Sequence, residues 1–168
     1  GQGNWTLISG LGSITNPISA TSAVSALGLG NNIFRWTITN GVCPPSFDDD
    51  TIFVVAIPTL ANAGADQTSL CGVTSTSLSA NTPTVGTGAW SIVSGVGGSF
   101  VAPSNPSTTF NGVIGNSYVL RWTISNAPCA ASSDDVLITF NANPTVANAG
   151  ADQTSLCGVT STSLAANT

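Results

Sequence analysis

Apolar and polar residues alternate along this chain in short runs, and nowhere recur at helical spacing. In "SYVLRWTIS" (117–125) Leu120, Trp122 and Ile124 fall on one side, with Val119, Arg121 and Thr123 on the other. That period of two is the signature of a half-buried strand. "AWSIVS" (89–94) alternates Trp90 and Ile92 in the same way. Further short runs, "ADQTSL" (65–70), "STSLSA" (75–80), "GGSFV" (97–101), "STTF" (107–110) and "DDVLITFN" (134–141), are separated by Gly, Pro, Asn and Ser. Such punctuation marks turns between strands. The pattern predicts an all-β chain built as a seven-stranded β-sandwich of the immunoglobulin type.

The pattern also repeats. "GADQTSLCGVTSTSL" stands at 64–78 and again at 150–164, 86 positions later. The match extends over 58–82 and 144–168, where only Leu60/Val146 and Ser79/Ala165 differ. "GQGNWTLISGLGS" (1–13) matches "GTGAWSIVSGVGGS" (86–99), and "FRWTITNGVCPPSFDD" (34–49) matches "LRWTISNAPCAASSDD" (120–135). Tandem repeats of about 86 residues follow from this period. Residues 58–143 form one complete repeat, 1–57 a repeat lacking its first two strands, and 144–168 the first two strands of a following repeat. An open sandwich exposes unpaired edges and part of its core. Joined end to end, one tail completes the next head. The chain therefore reads as a window of a long periodic polymer, or as a filament subunit that assembles by strand donation.

Composition narrows the chemistry. His, Lys, Glu and Met are absent, and the only cations are Arg35 and Arg121. A Ser-His-Asp or Cys-His nucleophile system cannot be assembled, nor a Schiff base, so no catalytic residue and no cofactor are expected. A net charge of −5 leaves no footprint for nucleic acid. No apolar run is long enough to span a bilayer, so no membrane insertion is expected. At 42% apolar residues the chain has ample material for a core.

The run W-S-I-V-S-G…G-G-S-F…P-S-T-T-F…Y-V-L-R-W-T-I-S-N…C…D-D-V-L-I-T-F, preceded by A-N-A-G-A-D-Q-T, resembles the PKD-like repeats of very large Bacteroidetes surface proteins. These include gliding-motility adhesins exported by the type IX secretion system. The resemblance covers essentially the whole chain. It implies an extracellular, cell-surface stalk or adhesin of tandem repeats, and it supplies no catalytic residue.

Several residues invite a sharper reading. Cys71 and Cys157 lie in the turn between the first two strands of a repeat, and Cys43 and Cys129 after its sixth. An exported protein would oxidise them. Strand parity puts these turns at opposite ends of a sandwich, which favours a bridge between successive repeats. An intra-repeat Cys71–Cys129 bridge, lateral links and free thiols remain the alternatives. Asp48, Asp49, Asp134 and Asp135 are weak calcium candidates, because neighbouring side chains of a strand point to opposite faces. Pairing with Arg35 or Arg121 is the simpler role. Trp5, Trp36, Trp90 and Trp122 fall on inward faces and are expected in the core rather than as sugar platforms. Asn4-Trp5-Thr6 is an N-glycosylation sequon. Asp50-Thr51-Ile52 is similar to the O-glycosylation site of Bacteroidetes exported proteins, which makes Thr51 a candidate.

The function expected from the sequence is structural. The chain is a stalk or fibre segment of an extracellular adhesin, whose partners are neighbouring repeats head to tail and further copies in a filament. The competing class is a module that binds glycans or another surface through loops such as 15–23 and 101–109, or through regions outside this chain.

Overall fold

The computed structural model describes all of residues 1–168. Twelve strands follow one another without a helix: β1 (Gln2–Ser9), β2 (Ser13–Ile14), β3 (Val24–Ser25), β4 (Gly30–Asn40), β5 (Cys43–Val54), β6 (Gln67–Cys71), β7 (Ser75–Ser77), β8 (Thr87–Ser94), β9 (Ser99–Phe100), β10 (Thr109–Asn111), β11 (Ser117–Ser125) and β12 (Ser132–Asn141). The fold is all-β and its arrangement is that of an immunoglobulin-like sandwich. Within residues 58–143, a four-stranded sheet in the order β6-β12-β11-β8 is accompanied by a three-stranded sheet in the order β7-β10-β9.

The alternation read from the sequence orients β11. Tyr118, Leu120, Trp122 and Ile124 are fully buried, while the residues between them are half-exposed. β12 pairs antiparallel with β11 from Ser117↔Thr139 to Ile124↔Ser132 and contributes Val136, Ile138 and Phe140 to the same side. On the other flank β8 brings Trp90 opposite Trp122, their rings tilted at 5.2 Å. β6 closes the far edge, running parallel to β12. Phe110 of β10 meets Tyr118 edge-on at 5.0 Å and Phe100 at 5.1 Å, so aromatic contacts tie the two sheets together. Gly88 makes the Trp pair possible. A Cβ there would stand 2.1 Å from Cζ2 of Trp122.

Two polar details organise this core. The hydroxyl of Tyr118, at the start of β11, donates to the Val96 carbonyl and accepts from the Val113 amide, both at 2.9 Å. It pins the β10–β11 connection as a tyrosine corner does. The indole N–H of Trp122 is the one buried side-chain polar atom with no partner, a local cost of about 1–3 kcal/mol that the surrounding aromatic burial must offset.

Residues 1–57 build only part of the same plan. β1-β4-β5 form one sheet, with Trp5 opposite Trp36 and Arg35 opposite Asp49, and β2-β3 form a two-stranded remnant of the other. Asn32 stands where Tyr118 stands 86 residues later. It is fully buried, its Oδ1 accepting from the amides of Leu11 (2.9 Å) and Gly28 (3.1 Å) and its Nδ2 donating to the Gly28 carbonyl. A carboxamide thus does the work of a phenol at the same corner. Residues 144–168 form no strand and are exposed throughout.

Candidate functional site

The surface with functional character is the face that residues 58–82 cover in one half of the molecule and that nothing covers in the other. In 58–143, this covering segment is bonded to the body at both ends of its length. The amide of Ala61 donates to Ser132 Oγ at 2.9 Å and that of Ala63 to Asp134 Oδ2 at 2.8 Å. Asp66 Oδ1 accepts from the Leu137 amide at 2.8 Å. Further on, the amides of Leu78 and Ala80 donate to the carbonyls of Thr108 and Pro106, and that of Gly112 to the carbonyl of Thr74. Ala61, Ala63 and Leu78 are buried against the aromatic core, with Leu78 only 3% exposed.

In 1–57 the same positions are open. Trp5 and Trp36 are half-buried, whereas Trp90 and Trp122 are buried; Ile38 is 47% exposed, whereas its counterpart Ile124 is fully buried. Ser46 and Asp48 occupy the places of Ser132 and Asp134, and neither engages a backbone amide. Two hollows mark the missing cover. One, of about 100 Å³, is lined by Trp5, Ile14, Val24, Phe34, Asp50 and Ile52, together with Ser22. The other, of about 330 Å³, lies against Trp5, Trp36 and the Asp48–Asp50 run. The four tryptophans are therefore equivalent in the sequence, but two lie in a closed core and two line a groove.

The segment 144–168 already has the shape of a cover. The Asn148 amide donates to Asn167 Oδ1 at 2.7 Å, matching Asn62 to Asn81 at 2.8 Å. Gly150 N to Asn148 Oδ1 matches Gly64 N to Asn62 Oδ1, each 2.8 Å. Asn167 Nδ2 to the Val146 carbonyl matches Asn81 Nδ2 to that of Leu60, each 2.9 Å. Gln153 bridges to Ser163 and Thr162 as Gln67 bridges to Ser77 and Thr76. Gly150 even keeps the left-handed backbone of Gly64, φ 87° against 88°. What the segment lacks is a body. Leu164 is 88% exposed where Leu78 is buried.

The remaining sequence candidates fall into place around this groove. Arg121 grips Asp135 with two hydrogen bonds of 2.7 and 2.8 Å, and Arg35 grips Asp49 with the same pair of distances. Each charge-assisted fork holds its carboxyl below the ordinary aspartate value of 3.8, the hydrogen bonds to arginine being the main cause. Arg35 also stacks over Phe47 at 4.0 Å. Of the calcium candidates, Asp49 and Asp135 thus face arginine, and Asp134 is bound to a backbone amide. Nowhere do three or more acidic or thiol side chains converge as a cation would require. Asn4 is exposed on β1, its amide donating to the Trp5 carbonyl, and Thr51 is exposed on β5. A polar cleft of about 740 Å³ along β1 and β4 is lined by Gln2, Asn4, Thr6, Thr37 and Thr39 with Ile18 as its single apolar wall; no acid, base or thiol side chain enters it.

All four cysteines are unpaired. Cys71 lies at one end of 58–143, its Sγ 3.8 Å from the Ala142 carbonyl oxygen. Cys129 lies at the other end, where its Sγ is 3.5 Å from the Ala56 carbonyl oxygen, and Asn126 Nδ2 donates to that same oxygen at 2.8 Å. The length of β12 separates the two thiols, roughly 30 Å for ten residues. A disulfide tolerates only about 7 Å between Cα atoms. An intra-repeat Cys71–Cys129 bridge is therefore geometrically excluded.

Two features escaped the sequence reading. Asp134 serves as acceptor for the covering segment, and the Tyr118 corner is rebuilt by Asn32. Alignment of the two halves pairs Asn32 with Tyr118, which was the available signal for the second. No family profile matches the chain, and no curated protein matches it. Among solved structures it is similar to the insect immune protein hemolin, whose domain arrangement is described as having implications for homophilic adhesion. The likeness extends over 84% of this chain and 39% of that one, at 16% identity and a TM-score of 0.48.

Proposed function

We propose that this chain is a structural segment of an extracellular, cell-surface stalk or fibre, in which immunoglobulin-like repeats follow one another head to tail. The observation that carries this reading is the match between an uncovered groove and a preformed, unseated cover. Residues 1–57 present the Trp5–Trp36 face, and residues 144–168 hold the conformation that closes the equivalent face over Trp90 and Trp122. Each repeat then bears tension through its β11–β12 ladder and passes it on through a short linker such as Val55–Pro58. The resemblance to PKD-like repeats of Bacteroidetes adhesins supports the extracellular setting, and it brings type IX export and a gliding role with it as part of the proposal. Length, rather than catalysis, is the product of such a design.

The same observation favours a second reading, in which the chain is a subunit that polymerises by donating residues 144–168. Electron microscopy of the purified chain tests both. Thin unbranched filaments one sandwich wide, lengthening with protein concentration, are expected. Compact particles of fixed mass at every concentration would refute head-to-tail continuation.

A further inference from the structure

From the placement of the thiols we infer that each joint between consecutive sandwiches is locked by a disulfide, between the thiol in the turn after β6 of one sandwich and the thiol after β11 of the next. The inference rests on the head-to-tail reading above. Its starting point is a coincidence of two carbonyl groups. Cys71 touches the Ala142 carbonyl, and Cys129 touches that of Ala56. Ala56 and Ala142 are one position of the repeat, 86 residues apart. When the 144–168 segment of one copy covers residues 1–57 of another, as 58–82 covers 83–143, Cys157 takes the place of Cys71. Its sulfur then sits against the Ala56 carbonyl of the second copy. Cys129 of that second copy already occupies the other side of the same oxygen. The two sulfurs share one neighbour atom, at 3.8 Å from one and 3.5 Å from the other. By the same translation Cys71 of the first copy meets Cys43 of the second. Every thiol in the chain acquires a partner, and each joint carries two bonds.

The docking that brings them together has specific supports. Ser46 and Asp48 are the acceptors that Ser132 and Asp134 provide to Ala61 and Ala63, and Ala147 and Ala149 are the corresponding donors. Asp152 faces the Thr51 amide as Asp66 faces that of Leu137. Cys157 is exposed and Cys129 half-buried, so Cys157 is the thiol that meets the oxidant. A low-molecular-weight disulfide such as oxidised glutathione supplies the oxidation. The Cys157 thiolate attacks one glutathione sulfur and releases reduced glutathione. The Cys129 thiolate then displaces the second glutathione from Cys157. Two thiols are oxidised to one disulfide, and one disulfide is reduced to two thiols.

The test uses the 168-residue chain and two readouts. In reductant, sedimentation velocity reports docking alone. Association that grows with concentration is expected, and its loss in Leu164→Asp, a substitution at an exposed site of the isolated chain. In a glutathione redox buffer, non-reducing denaturing electrophoresis reports the bonds. A ladder at multiples of 16.7 kDa is expected, persisting in Cys43→Ser/Cys71→Ser, which keeps Cys129 and Cys157. It should vanish in Cys71→Ser/Cys129→Ser, whose remaining Cys43 and Cys157 would lie at opposite ends of one composite sandwich. Peptide mapping should join Cys157 to Cys129. Association in reductant without these cross-links, or cross-links in the second variant, overturns the disulfide assignment and leaves the head-to-tail reading standing. Absence of association in reductant overturns the docking, and with it both.

Discussion

Leu78 and Leu164 sit in nearly identical 25-residue stretches, 58–82 and 144–168, so one substitution made at both positions isolates the effect of the surroundings. Leu78 is 3% exposed beneath the aromatic core; Leu164 is 88% exposed. Truncating a buried leucine to alanine removes its transfer free energy and leaves a cavity, together about 2–5 kcal/mol. Local propensity and hairpin contacts are common to the two sites and cancel in the comparison. Leu78→Ala should therefore lower the stability of the 58–143 sandwich by about 3 kcal/mol. For a unit of this size each kcal/mol moves the midpoint by about 4–8 °C, which sets the expected loss at roughly 10–25 °C. Leu164→Ala in dilute monomer should stay within about 0.5 kcal/mol of the parent. Thermal melts followed by near-ultraviolet circular dichroism, where the packed Trp90–Trp122 pair reports on the sandwich, supply the readout. A loss below about 1 kcal/mol at Leu78 would show that the cover is not integral to that core. An equal loss at Leu164 in dilute solution would show that its segment is already seated.

Other consequences follow from single contacts. Tyr118→Phe keeps the ring and removes the hydroxyl that joins Val96 and Val113; a loss of about 1–2 kcal/mol is expected in urea unfolding. Gly88→Ala puts a methyl group 2.1 Å from Trp122, and with both tryptophans buried the ring has little room to retreat. The melt should fall by more than for the control Gly115→Ala, which meets nothing within 4 Å but carries a φ of 88°. Acid unfolding should show the arginine forks. Asp49 and Asp135 have depressed folded pKa values, so their contribution is complete above the ordinary value of 3.8 and disappears as pH falls through the lower folded value. The slope of urea midpoint against pH below about 4 should flatten in Arg121→Gln. An unchanged slope would mean that the exposed fork carries no net stability.

Much of the fold was legible because period-two alternation in a strand such as 117–125 is dictated by burial on one face. Tyr118, Leu120, Trp122 and Ile124 declare the inward side, and the turns around them declare the ends. What the alternation could not express is which faces are covered. Trp36 and Trp122 occupy the same pattern, "RWTI", and differ only in whether a segment distant in sequence lies over them. The roles of Asp134 and Asp66 were equally hidden. A carboxylate that accepts an amide from another strand looks, in sequence, the same as one that faces solvent. The cysteines were half legible. Parity of the strands placed Cys71 and Cys129 at opposite ends, but the shared carbonyl position that relates them appears only once Ala56 and Ala142 are seen in contact with sulfur.

One residue of the open face departs from the closed one in a way that bears on how firmly a joint can hold. Asp50 pairs with Phe34 across β4 and β5 as Val136 pairs with Leu120 across β11 and β12. Val136 is 2% exposed and Asp50 is exposed. A carboxylate at the rim of an apolar groove keeps an uncovered Trp5–Trp36 face hydrated and discourages indiscriminate association, as inward-pointing charges do at sheet edges. The same charge opposes the cover, because seating Leu164 above it strips water from the carboxylate at an effective cost of several kcal/mol unless a partner is found. Ser22, which lines the same hollow, is the nearest candidate for that hydrogen bond. Asp50→Val should therefore strengthen docking. Burying a valine contributes about 1.5–3 kcal/mol, and at about 1.4 kcal/mol per decade the association constant should rise at least tenfold. Sedimentation in reductant at neutral pH measures it directly. An association constant that is unchanged or lowered would show that the cover does not lie over Asp50, and that the register carried across from residues 58–143 fails on the open face.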